Sequence, residues 1–99
     1  MEVILMPYIA SDRRVLYDGA LAELGEIISA KTPAGDLNYV VTRVLSAWLR
    51  KRGLSYAAIA DVVAVLETAK LEFYRRVAAR YEDHKIVENG DVYDTPARG

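Results

Sequence analysis

Thirteen Lys and Arg against 14 Asp and Glu leave 99 residues with a formal charge of -1, so the chain is no polycation and any anion-binding site on it must be local. Hydrophobic residues make up 53%, enough for one packed domain and too many for a disordered chain. The absence of Cys excludes disulfides and thiolate metal sites and fits a reducing cytoplasm.

The opening stretch, MEVILMPYIA, is too short to cross a bilayer and has no basic segment before it, so it reads as neither a signal peptide nor an anchor. Residues 1–10 are expected as a short extended arm, with Pro7 arguing against a central strand. Ser11 is expected to cap helix one over 12–30, where Leu16, Ala20, Leu24, Ile27 and Ile28 follow helical spacing. Gly19 and Gly25 each cost that helix about 1 kcal/mol against Ala, and mark either close helix approach or a marginal helix.

KTPAG at 31–35 is a breaker. Asp36 is expected to cap helix two over 37–52, with Leu37, Val41, Val44, Leu45 and Trp48 on one apolar face. Its last turn, Arg50-Lys51-Arg52, precedes Gly53; cations on a helix C-terminus with Gly beyond are a stop signal, which accounts for the basic run without nucleic acid. Ser55 caps helix three over 55–89. Its predicted buried stripe is Ile59, Val62, Val63, Leu66, Ala69, Phe73 and Val77. Asn89-Gly90 ends it and an extended tail fills 90–99.

The predicted fold is therefore all-α: a single three-helix domain with a long C-terminal helix, a kink expected near Ala78-Ala79, and an extended N-terminal arm. The lengths do not match. Helices one and two would run about 24–28 Å and the third about 50 Å. The excess half of helix three either bends back or is covered by another chain, and a two-fold homodimer pairing the long helices would cover it.

Chemistry-bearing patterns are sparse. There is no phosphate-loop glycine pattern, no HExxH motif, and one His, His84, within the charged run YEDHK. Glu23 and Glu26 share a face of helix one. All-helical nucleoside-triphosphate pyrophosphohydrolases set an ExxE pair against an ExxD pair to hold Mg²⁺, but here Glu67 is followed at i+3 by Lys70, which repels a metal. Enzyme chemistry is not expected, nor is a cofactor or a metal site.

What remains is a polar constellation on the second half of helix three: Glu67, Lys70, Glu72, Tyr74, Arg75, Arg76, Arg80, Tyr81 and Glu82. An unbroken helix puts Glu67, Lys70, Tyr74 and Tyr81 near one side. Glu72 is expected to pair with Arg76, and Arg75 with Asp18, Glu23 or Glu26 on helix one. One reading is an exposed, ion-paired helix. The other is a groove in which cations meet an anion and tyrosines stack on a base, with Asn38, Tyr39 and Thr42 adding donors and acceptors from helix two. Seven Tyr against one Phe and one Trp suit half-buried surfaces of either kind.

GDLNYVVTRVL at 35–45, VVAVLETAKLEFYRRVAARYEDHKIVENGDVY at 62–93 and MPYI at 6–9 resemble an uncharacterised family of small proteins of tailed phages, prophages and metagenomes. Val41 stands where that family's pattern usually has Ile, and Ala64 where it commonly has Gly. The resemblance implies a phage-infected bacterial cytoplasm and no established activity. By position its motif residues are Asn38, Tyr39, Thr42, Glu67, Lys70, Glu72, Tyr74, Arg75, Arg76, Tyr81, Glu82, Lys85, Asn89, Gly90, Asp91 and Tyr93. The function expected is non-enzymatic. It is a homo-oligomer, a dimer first, assembling through helix three or contacting a host or phage protein. The alternative is sequestration of an anionic nucleotide-like signal at Asn38, Tyr39, Thr42, Glu67, Lys70, Tyr74, Arg75, Arg76, Tyr81 and Glu82. A divalent-metal pyrophosphohydrolase-like enzyme comes third. Neither a membrane nor a nucleic acid is expected as a partner.

Overall fold

The computed structural model describes residues 9–94, and these are helical with no strand. Three rods succeed one another: α1 (Ser11–Ile27), α2 (Ala34–Arg52), and a long third rod formed by α3 (Tyr56–Phe73), a π-helical turn (Tyr74–Ala78) and α4 (Ala79–Asn89). The arm expected over 1–10 lies almost wholly outside the described residues, as does the end of the tail.

Helix ends show where local chemistry holds and where it yields. Ser55 caps α3, its hydroxyl accepting from the Ala58 amide at 3.1 Å, as its position before an apolar run requires. Gly53 and Gly90 end α2 and α4 at φ 93° and 88°, conformations that a Cβ disfavours. Ser11 and Asp36 do not cap. Ala10 and Pro33 take those positions, because the Pro33 ring presets the φ that opens a helix, leaving Asp36 in the first turn facing the dipole. Helix one stops at Ile27 rather than running to residue 30. Beyond it the Ser29 amide donates to Thr32 Oγ1 at 2.9 Å, the Lys31 amide to Ser29 Oγ at 3.1 Å and the Thr32 amide to the Ser29 carbonyl at 3.0 Å. Hydroxyls that satisfy the backbone locally compete with helix continuation.

The irregularity of the long rod adjoins Ala78-Ala79, where a kink is expected: the Ala79 amide donates to the Tyr74 carbonyl five residues back, the signature of a π turn.

The rods splay. Half-buried residues lie at the α2–α3 turn (Leu45, Ala47, Leu49, Val62), at the α1–α2 elbow (Leu24, Thr32, Val40) and along the long rod (Ala64, Thr68, Glu72, Ala78, Ala79, Ile86), and among the described residues only Ala58, 2% exposed, is fully buried. No Cα of α1 lies within 8 Å of a Cα in another helix. The stripe expected to be core on the long rod is therefore uncovered in the single chain: Val63 is 60% exposed and Phe73 63%. Gly19 and Gly25 approach nothing, since a Cβ at either would meet no atom within 4 Å.

The dimensions agree. The radius of gyration is 17.9 Å, where a compact chain of this length has about 12.6 Å. The chain exposes 9082 Å², where a compact monomer of this size exposes about 5,600 Å².

Candidate functional site

Several members of the polar constellation pair with one another along the rod. Lys70 Nζ lies 3.3 Å from Glu67. Arg75 Nη2 donates to both carboxylate oxygens of Glu72 at 3.0 and 3.1 Å. Glu72 thus sits against Arg75 at i,i+3 spacing, and no Cα of α1, where Asp18, Glu23 and Glu26 lie, comes within 8 Å of the long rod. Lys85 sits 5.6 Å above the Tyr81 ring and 3.2 Å from Glu88. His84 Nε2 stands 3.6 Å from Glu88, an ion pair only when the imidazole is protonated.

The π turn explains the most unusual of these contacts. Tyr74 Oη donates to Glu82 Oε1 at 2.9 Å across eight residues. On an unbroken α-helix residue i+7, Tyr81, stacks above Tyr74, and i+8 is turned away. One extra residue in the π turn rotates the remainder of the rod by about 100°, so Glu82 arrives where Tyr81 was expected. The bond to Glu82, reinforced by its charge, raises the Tyr74 pKa above the ordinary 10.0, with Asp83 adding in the same sense.

The residues from helix two stand apart from this cluster. Tyr39 Oη accepts from Arg43 Nη1 at 2.9 Å, with the guanidinium 5.7 Å from the ring centre. Among the described residues α2 comes near neither the π turn nor α4, so Asn38, Tyr39 and Thr42 do not share a cleft with Tyr74, Arg75, Arg76, Tyr81 and Glu82. Nor do Glu23 and Glu26 meet Glu67, because α1 packs on no other helix. Among the described residues no three His, Asp or Glu side chains gather as a metal site, and no helix is long and apolar enough to cross a membrane.

What the structure brings together is apolar. Where α1 turns into α2, Leu24, Ile27, Ile28, Leu37, Tyr39 and Val40 line an open depression of about 390 Å³. Only Tyr39 and the periodic apolar positions hinted at it; the signal that could have located it is KTPAG, which sets two apolar helix ends side by side. Among the described residues this depression and the exposed stripe of the long rod are both apolar faces open to solvent.

Neither a curated protein nor a solved structure matches the chain. Residues 6–92 match the model of a domain of unknown function, DUF6899, and the chain belongs to that family.

Proposed function

We propose that this is a small, non-enzymatic, phage-type protein that works by assembling with copies of itself in the cytoplasm of a bacterial host cell. One observation carries the reading. The chain exposes 9082 Å², roughly 3,500 Å² beyond a compact monomer of its size, and stable protein interfaces bury about 800 Å² per partner, more in obligate homodimers. A lone chain with one fully buried residue among those described has little to hold it folded, whereas a second copy offers the same apolar faces in reciprocal supply. The phage setting is supported by the MPYI, LNY and NGDVY stretches.

The constellation on the long rod serves this reading better than nucleotide capture. Lys70 and Arg75 already face carboxylates at 3.3 and 3.0 Å, and such pairs keep a long exposed helix charged and straight. Size-exclusion chromatography with light scattering tests the proposal. The expected result is a dimer or higher multiple from low micromolar concentration upward, and a monomer over that range overturns it.

A further inference from the structure

Resting on that reading, we propose how the copies join: α1 docks in trans, along the apolar stripe of the long rod of a second chain, making an exchanged-helix dimer. Four observations converge on this occupant. First, among the described residues no Cα of α1 lies within 8 Å of another helix, its end meets α2 only across the open depression, and Leu16 is 69% and Leu21 59% exposed. A 17-residue helix of this composition is marginal alone in water and takes its stability from packing an apolar face.

Second, the elbow after α1 is an ordered turn, closed over Ser29–Thr32 by side-chain and backbone hydrogen bonds of 2.9 to 3.1 Å, in which α1 stands clear of its own long rod. Third, the lengths correspond. Ile59 to Val77 along the rod spans about 27 Å, and the 17 residues of α1 span about 26 Å. Fourth, single charges are left over on both sides. Asp18, Glu23 and Glu26 on α1 have no ion-pair partner among the described residues, and neither have Arg80, three residues past Val77 on the rod, and Arg50 and Lys51, at the end of α2 just before the rod begins. Trans docking can set an α1 carboxylate against one of these cations, a contact that favours one orientation.

Isotope mixing tests the assignment on the full chain. Equal amounts of ¹⁴N and ¹⁵N protein are unfolded and refolded together, then joined with a water-soluble carbodiimide, which couples carboxylates to lysines in contact. The Glu67–Lys70 pair is an internal control and joins only within one chain. The proposal expects mixed-isotope peptides linking Asp18, Glu23 or Glu26 to Lys51, Lys70 or Lys85. Links from α1 found only within one isotope, or absent, overturn it; if the protein is still a dimer by light scattering, the assembly reading survives while α1 exchange does not. A monomer sinks both. As a second measurement, Leu16→Glu alters a side chain that is 69% exposed in its own chain, so the chain by itself loses no contact. The dimer dissociation constant is expected to rise at least tenfold with the helical circular dichroism signal retained at high concentration. An unchanged constant overturns the proposal.

Discussion

Tyr74 is held away from its ordinary chemistry by a neighbouring acid. Its hydroxyl donates to Glu82 at 2.9 Å, and a donor to a carboxylate resists losing its proton. The pKa is raised above 10.0 in the folded chain. The bond's contribution to stability is therefore present below the ordinary tyrosine value and lost as pH climbs through the raised one. Absorbance at 295 nm, titrated from pH 8 to 13, is expected to show a late-ionising component from Tyr74. Tyr74→Phe removes that late component and Glu82→Gln moves it back toward the ordinary range; a late component that persists in Tyr74→Phe refutes the assignment. Nothing in the residues YRRVA announces this bond, because it depends on a turn whose extra residue carries no Gly or Pro. Lys70 with Glu67, by contrast, is readable directly from i,i+3 spacing.

At the scale of the element, ends were more legible than faces. KTPAG and Gly53 separate the three rods, and Ser55 does what a Ser before an apolar run does. Ser55→Ala is expected to cost about 1 kcal/mol. Gly25→Ala, on the side of α1 away from Leu16 and with no atom within 4 Å of its Cβ, is expected to stabilise by up to about 1 kcal/mol. Thermal melts at matched protein concentration measure both, and a stabilised Ser55→Ala or a destabilised Gly25→Ala contradicts the local accounts. Asp36 misled because Pro33 opens α2 three residues sooner. The stripe from Ile59 to Val77 misled differently: periodicity of 3.6 says which side of a helix is apolar, and says nothing of whether the covering surface lies in the same chain.

The whole molecule is a set of splayed rods, 50 × 40 × 28 Å in extent. If its core is completed between chains, stability depends on how many chains there are. The melting temperature is expected to rise with concentration across 1–100 μM, as mass action requires of a folded state that exists only in association. A melting temperature independent of concentration over that range contradicts it. Composition made one packed domain affordable, and it did not reveal that the packing is left unfinished within a single copy. That Ala58 alone is fully buried among the described residues has a further consequence. Segments with few buried contacts open at almost no free-energy cost, and open backbone is what proteases cut. On the proposed assembly, a chain emerging among few copies is short-lived and one emerging among many is sheltered, so the protein's lifetime rises with its own abundance.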